Sequence, residues 1–220
     1  MKHLWRNYGL SIVLFALFVV SLVGQTWSGW RVYNQEQREH GGASLNLIAY
    51  VRTGHFGEAT FENWESEFLQ MAFYVLLTAR LYQLGSSESK RPGVPATVDR
   101  DPREAAGKGD APWPVRRGGW ILKVYEHSLS ATFGLLFVIS FTLHGTRGVA
   151  EYNQQQIAHG QPAGDLAAYM TSAQFWFESF QNWQSEFLSL VAMVMLSIVL
   201  RERGSPESKP VDAAVWETED

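Results

Sequence analysis

The chain has 220 residues, a formal net charge of −4 and no cysteine. Without cysteine it has no disulfides, thiolate metal ligands or cysteine nucleophiles. The negative charge gives no electrostatic signal for nucleic-acid binding. Apolar and polar residues are sharply separated along the chain. This pattern predicts an all-α integral membrane protein that is embedded in the lipid bilayer.

The first apolar run, residues 8–30, contains no charged residue. About 20 such residues allow a helix to cross the hydrocarbon core of a bilayer. A basic start followed by an apolar run also fits a secretory signal, but parts of this run, such as Leu10 and Ser11, return at Leu129 and Ser130. A discarded signal has no reason to be duplicated in mid-chain, so we interpret residues 8–30 as a retained transmembrane helix.

Polar and aromatic residues fill the next stretch, residues 31–66. Tyr33, Gln37 and His40 recur at the spacing of one helix face, and Gly41 can end that helix. Short amphipathic helices ending near Tyr50 and near its equivalent Tyr169 are expected on the outer face of the membrane. The side chains that can cap these and the following helices are Ser44, Thr60, Asp165 and Ser179.

The second predicted span, about residues 64–84, has an uncharged part of only 12 residues, 68–79, and its later equivalent has 14, residues 187–200. At about 1.5 Å per residue neither part covers about 30 Å of hydrocarbon, so each helix must take a flanking charge into the membrane. Arginine can extend back to the interface from the far end. The shorter Glu67 and Glu186 should lie at or below the interface.

The whole chain is therefore divided into two hairpins, a linker and a tail. Residues 1–84 form the first transmembrane hairpin, and residues 85–118, rich in Pro, Gly and mixed charge, indicate a flexible linker. Residues 119–204 form the second hairpin, with spans at about 126–146 and 183–203, and residues 205–220 form an acidic tail.

The two hairpins are related by an internal duplication. When residues 33–90 are compared with residues 152–209, at an offset of 119 positions, 25 of the 58 positions are identical. A repeat of this kind decides the architecture. We predict four transmembrane helices arranged as two tandem, parallel hairpin repeats.

The distribution of basic residues predicts the orientation. The N-terminus, linker, tail and adjoining helix ends hold 14 of the 18 Lys and Arg residues, whereas the inter-helix segments hold only Arg31, Arg38, Arg52 and Arg147. Because cytoplasmic segments are enriched in Lys and Arg, both termini and the linker should be cytoplasmic.

The duplicated motifs are Tyr-Asn-Gln-x-Gln-x-x-His-Gly and Phe-x-Asn-Trp-x-Ser-Glu-Phe-Leu, at residues 33–41, 152–160, 61–69 and 180–188. At these motifs the chain resembles an uncharacterised family of bacterial four-helix membrane proteins, classed as a domain of unknown function. The resemblance covers nearly the whole chain apart from the linker and tail. It implies a location in the bacterial inner membrane and supplies no activity, cofactor or catalytic residue.

Polar residues that occur in both repeats define the candidate site. The candidates for ion or proton binding are Glu67, Glu186, Asn63, Asn182, Ser66, Ser185, Tyr33 and Tyr152. The two glutamates should lie near the pseudo-twofold axis between the repeats, where carboxyl groups removed from water can bind ions or relay protons. His40 and His159 together with Glu67 and Glu186 would also suit a divalent metal such as Zn²⁺, Mn²⁺ or Fe²⁺. Alternatively, the same polar residues cap helix ends and join the helices by hydrogen bonds.

Two functional hypotheses from different classes follow. The first is a small ion- or proton-handling membrane protein with a polar site near the outer leaflet. The second is a non-catalytic structural or accessory protein that binds a partner or lipid through its outer aromatic segments. The sequence has no glycine-rich phosphate loop, serine elbow or HExxH motif, which argues against an enzyme. A homodimer is compatible with so few spans.

Overall fold

The computed structural model describes residues 2–218, and of Lys2 only the backbone. Met1 and the last two residues of the predicted tail lie outside the described residues. Within this range the chain forms helices and no strand, as predicted for an all-α protein. The helices are α1 (Lys2–Glu39), α2 (Leu47–Tyr50), α3 (Gly54–Thr78), α4 (Trp113–Arg117), α5 (Gly119–Glu126), α6 (Ser128–Ala158), α7 (Leu166–Met170) and α8 (Ala173–Val199).

Between residues 2 and 218, three helices are long and apolar enough to cross a membrane, namely α1, α6 and α8. They contain or overlap the spans predicted at 8–30, 126–146 and 183–203. Helix α3 covers much of the remaining predicted span but ends at Thr78. Its first half carries Glu58, Glu62, Glu65 and Glu67, which separates it in composition from the other long helices.

The segment predicted as a linker, residues 85–118, contains local structure. It has two 3₁₀ turns, Thr97–Asp99 and Pro102–Ala105, followed by α4. Lys90 pairs with Asp99 at 2.7 Å, and Val115 of α4 packs in a small apolar cluster with Leu122 of α5. Each of these contacts joins residues that are close to each other in the sequence.

The chain divides into two compact units. Unit 1 contains the residues up to Phe61 together with Leu143–Ser172, and unit 2 contains Glu62–Thr142 together with Ala173–Asp220. Helices α3 and α6 each contribute residues to both units.

The asparagine of the duplicated Tyr-Asn pair has the same structural role at both of its positions in unit 1. The side chain of Asn34 donates to the carbonyl of Leu45 at 2.9 Å and accepts the Leu45 N–H at 2.7 Å. Asn153 makes the same two bonds to Gly164, at 2.9 and 2.8 Å. An amide side chain that satisfies both main-chain groups of a residue 11 positions later fixes the turn after each long helix.

Close packing against glycine also recurs in unit 1. The hydroxyl of Tyr50 lies against Gly29, and the hydroxyl of Tyr169 lies against Gly148 at the equivalent position of α6. Both tyrosines are almost completely buried. A side chain at either glycine would occupy the space of the tyrosine, which is why these helix positions have no Cβ.

The predicted helix ends are partly right. Gly41 and Gly160 follow α1 and α6 with positive φ values of 74° and 70°, and Asp165 caps α7 by accepting the Ala168 N–H at 2.8 Å. The expectation for Ser44 is wrong, because Asn46 caps α2 through the Ala49 N–H at 2.9 Å.

The caps predicted at Thr60 and Ser179 are wrong as well, because α3 and α8 begin six residues before these positions, at Gly54 and Ala173. Thr60 instead donates to the Phe56 carbonyl at 2.8 Å, as a hydroxyl within a helix commonly does. Thr53 caps α3, since its hydroxyl accepts the Phe56 N–H at 3.3 Å.

In unit 2, α3 and α8 lie side by side in the same direction. Glu62 contacts Asn182, Glu65 contacts Trp183, and Gln70 contacts Ser189. Contacts that advance together along both helices require a parallel pair. Helix α6 packs on α8 through aromatic rings, with Phe137 at 6.2 Å from Trp183.

We predict that Gly148→Ala lowers the free energy of unfolding by about 1–3 kcal/mol, because a Cβ there would come within 2.8 Å of Glu58 Oε1 and closer still to Tyr169. Gly134→Ala is the matched control on the same helix, since a Cβ at Gly134 meets open space. Unfolding by dodecyl sulfate in mixed micelles, followed by circular dichroism, measures both. Equal stabilities would contradict the packing described.

Candidate functional site

Helices α3 and α8 carry six of the eight predicted ion-binding residues, and polar side chains join the two helices in unit 2. Gln70 donates from Nε2 to the carbonyl of Glu186 at 2.8 Å and to the hydroxyl of Ser189 at 2.7 Å. The carboxyl group of Glu186, which is half-buried, interacts electrostatically with that of Glu67, which is exposed. The two glutamates that the sequence singled out therefore lie on the paired helices α3 and α8 and influence each other.

Some of these contacts join a residue to its own counterpart in the other repeat. Gln70 and Ser189 are 119 positions apart, as are Glu67 and Glu186. Equivalent residues of the two repeats can contact each other only where the equivalent helices lie against each other. Here those helices are α3 and α8.

Two buried or half-buried carboxyl groups of α3, Glu62 and Glu65, were missed by the sequence argument. Asn182 donates to Glu62 at 2.5 Å, and the indole N–H of Trp183 donates to Glu65 at 3.0 Å. Glu65 is 0% exposed. Neither glutamate is duplicated, because the second repeat has Gln181 and Gln184 at these places. A search limited to duplicated residues could not find them.

The charge balance on this helix pair is one-sided. Within unit 2, α3 and α8 carry five carboxyl groups, Glu62, Glu65, Glu67, Glu178 and Glu186, and neither helix contains a Lys or Arg. Carboxyl groups that are removed from water favour either protonation or a bound cation. The arrangement can therefore hold protons or positive ions.

The serines of the predicted set have local roles. Ser66 is buried and donates to the Asn63 carbonyl at 2.8 Å, and Ser185 does the same to Asn182 at 2.8 Å. These bonds lie within a single helix. The two serine hydroxyls therefore have a structural role, and the glutamates of the predicted set are the groups that can bind a proton or a cation.

The duplicated histidines act at helix ends in unit 1. His40 Nδ1 bonds to the Glu36 carbonyl at 2.9 Å, and His159 Nδ1 bonds to the Gln155 carbonyl at 2.7 Å. Both rings are exposed. This geometry satisfies carbonyl groups at the C-terminal ends of α1 and α6, and it agrees with the capping alternative.

Tyr33 belongs to an aromatic and titratable cluster in unit 1. Its ring lies 5.7 Å from Tyr50 and 5.5 Å from His55, and the Tyr50 hydroxyl bonds to His55 Nδ1 at 3.1 Å. Glu151, 9% exposed, is held by the main-chain N–H of His55. Burial, followed by the nearby Glu151 and Glu36 carboxylates, raises the pKa of Tyr50 to about 12.

A second cluster in unit 1 surrounds Tyr169. The ring of Tyr152 lies 5.3 Å from the Tyr169 ring, and the Tyr169 hydroxyl donates to Glu58 at 2.8 Å. A ring nitrogen of His144 lies within 4.8 Å of a Glu58 carboxylate oxygen, and His144 is 0% exposed. The signal that could have found both clusters is the identity of Tyr50 and Tyr169 at equivalent positions.

Comparison with known proteins gives a family and no activity. The model of the domain of unknown function DUF6766 matches residues 1–220, so the chain belongs to this family. Searches of curated proteins and of solved structures return no match.

We predict that Trp183→Phe lowers the free energy of unfolding by about 1.5–3 kcal/mol, because it removes the indole donor to a fully buried carboxyl. Trp176→Phe is the matched control, since Trp176 lies on the same helix and is 38% exposed. Unfolding in mixed micelles compares the two. Equal losses would mean that ring volume, and not the bond to Glu65, determines the effect.

Proposed function

We propose that the protein binds or relays protons or cations in the bacterial inner membrane, with Glu67 and Glu186 as the central groups. In this proposal the chain crosses the membrane four times, as two parallel hairpin repeats. Helix α3 is the span additional to α1, α6 and α8. Both termini and the linker are cytoplasmic, and the glutamates lie toward the outer leaflet.

The carrying observation is that Glu67 and Glu186, at equivalent positions of α3 and α8, interact electrostatically. Two neighbouring carboxylates cannot both remain ionised cheaply away from water. A proton shared between them, or a cation bound to both, removes the repulsion. In either case the protein binds a proton or a cation at this pair of glutamates.

The geometry of the helix pair supports the arrangement of spans. Helix α3 has 25 residues, which extend about 37 Å at 1.5 Å per residue, enough to cross the hydrocarbon core. Its parallel course beside α8 is the course that two parallel hairpins require. Contacts between equivalent residues, such as Gln70 with Ser189, support an axis between the repeats.

The partner-binding alternative has its own supporting observation. Phe177 and Phe180 of α8 are 68% and 58% exposed in the single chain, beside Trp176. Exposed aromatic side chains of this kind suit a protein partner, a second copy of the chain or lipid at the membrane interface. In that case the polar contacts of α3 and α8 only join the helices.

The proposal is tested by ion flux in proteoliposomes that contain a pH-sensitive dye and carry an imposed potassium diffusion potential. We expect the wild-type protein to conduct protons or exchange them for a cation. Glu67→Gln and Glu186→Gln should each reduce the flux about tenfold or more, because the amide keeps the shape of the side chain and removes its charge.

Glu202→Gln, an exposed carboxyl just beyond α8, is the control and should match the wild type. Wild-type flux equal to that of empty liposomes, or glutamine variants with full flux, would overturn the proposal in favour of partner binding. Circular dichroism of each variant confirms that the protein tested is folded.

Elemental analysis of the purified protein distinguishes the class of ion. A divalent cation held by the pair should be present at a fixed ratio to protein in the wild type and be lost in the Glu67→Gln/Glu186→Gln double variant. If the wild-type protein contains no divalent cation, the ion bound by Glu67 and Glu186 is a proton or a monovalent cation.

A further inference from the structure

A second duplicated motif, Gly-Ser-x-Glu-Ser-Lys, follows α3 and α8 at residues 85–90 and 204–209. Gly85 and Gly204 have φ values of 85° and 88°, which only glycine adopts without strain. The hydroxyl of Ser89 accepts the Gln83 N–H at 2.8 Å, and that of Ser208 accepts the Glu202 N–H at 2.8 Å. These residues build the same loop twice.

The first serine and the lysine of each motif also have structural roles. Ser86 and Ser205 accept the N–H groups of Glu88 and Glu207, at 3.1 and 3.2 Å. Lys90 Nζ bonds to Asp99 at 2.7 Å, and Lys209 Nζ donates to carbonyl groups of the tail, including that of Val215 at 2.9 Å. The Glu88 carboxyl group accepts a hydrogen bond from Ser87 of the same loop at 3.4 Å.

Glu88 and Glu207 meet each other in unit 2. The Glu88 carboxyl group interacts with that of Glu207, Ser87 donates to the Glu207 carbonyl at 2.9 Å, and the hydroxyl of Tyr74 donates to Glu88. Burial, and then the neighbouring carboxylate of Glu207, raise the pKa of Glu88. The titratable groups that face Glu88 are Glu207, Tyr74 and, along the cleft described next, Tyr82.

An apolar cleft of about 370 Å³ begins at Glu88 and continues between α3 and α8. Its lining includes Leu77, Leu81, Phe187, Val191 and Met195, with Tyr74 at the end next to Glu88. A cleft of this size with a few polar groups at one end is the usual form of a small-molecule site. The nearest lysines, Lys90 and Lys209, are already engaged by Asp99 and by the tail.

We propose that this cleft binds a cationic amphiphile, with its apolar body between α3 and α8 and its ammonium group on Glu88 and Glu207. The charge at the polar end is negative, so the complementary head group is positive. The ring of Tyr74 favours the same class of ligand, because aromatic faces attract ammonium groups, whereas the Tyr82 ring already faces Lys90 Nζ at 5.8 Å. This site goes beyond the function proposed above and does not use Glu67 or Glu186.

The test measures binding of dodecyltrimethylammonium to the full-length protein in nanodiscs of uncharged lipid, with dodecanol as the ligand of equal tail and neutral head. We expect saturable binding of the cation and binding of dodecanol at least tenfold weaker. Glu88→Gln and Glu207→Gln should each weaken cation binding about tenfold. Glu104→Gln, an exposed carboxyl in a 3₁₀ turn, should leave it unchanged.

Two further measurements keep the test decisive. Cation binding to the wild type should strengthen as the pH rises, because the cation replaces the proton held by Glu88, and this dependence should disappear in Glu88→Gln. Val191→Trp should fill the cleft and abolish binding while both carboxyl groups remain. Folding of every variant is verified by circular dichroism.

Equal affinity for dodecanol and the cation would overturn the proposal and make the cleft a groove for lipid chains. Unchanged binding in both glutamine variants would do the same. The Glu67→Gln/Glu186→Gln double variant should bind the amphiphile normally. Loss of proton flux in that variant with normal amphiphile binding therefore separates the two proposals.

Discussion

Every polar side chain on a helix inside a bilayer needs a partner in protein or water, because hydrocarbon offers no hydrogen bonds. Much of unit 2 follows from this constraint at the interface of α3 and α8. Gln70 bridges to Ser189 and to the Glu186 carbonyl, and Trp183 supplies the N–H that a fully buried Glu65 requires. These bonds fix the register of two parallel helices, and the contact of Phe73 with Phe187 is then set by that register.

Hydrogen bonds between the helices do not by themselves require a carboxyl group. Hydrogen-bond donors stabilise a carboxylate, but they do not neutralise it. A membrane protein that needed only hydrogen bonds between helices could use amide side chains alone. The retention of glutamate in both repeats, at positions 67 and 186, is therefore the strongest physical argument for proton or cation binding.

The sequence was sufficient for the features that depend on local pattern or exact repetition. Apolar length predicted α1 and α6, glycine predicted the ends of α1 and α6, and duplication selected Glu67 and Glu186. It was insufficient where distant residues combine. The cluster of Tyr50, His55 and Glu151 joins α2, α3 and α6, and its His and Glu have no duplicated equivalents. Thr60 was predicted to cap α3, but the helix begins six residues earlier, at Gly54. The start of a helix depends on tertiary packing as well as on capping residues, and the sequence shows only the latter.

The divergence of the two repeats has a physical logic of its own. Helix α3 has Glu62 and Glu65, whereas α8 has the exposed Gln181 and Gln184 at the equivalent positions. Four glutamates there would place like charges on both helices, at a cost that grows as the dielectric constant falls. Asn182 and Trp183 instead face α3 with N–H donors, so two carboxyl groups of α3 meet donating side chains of α8. Because Gln181 and Gln184 are uncharged, α8 adds no further carboxylates beside these contacts, and Glu67 and Glu186 are the pair of equivalent glutamates that remains.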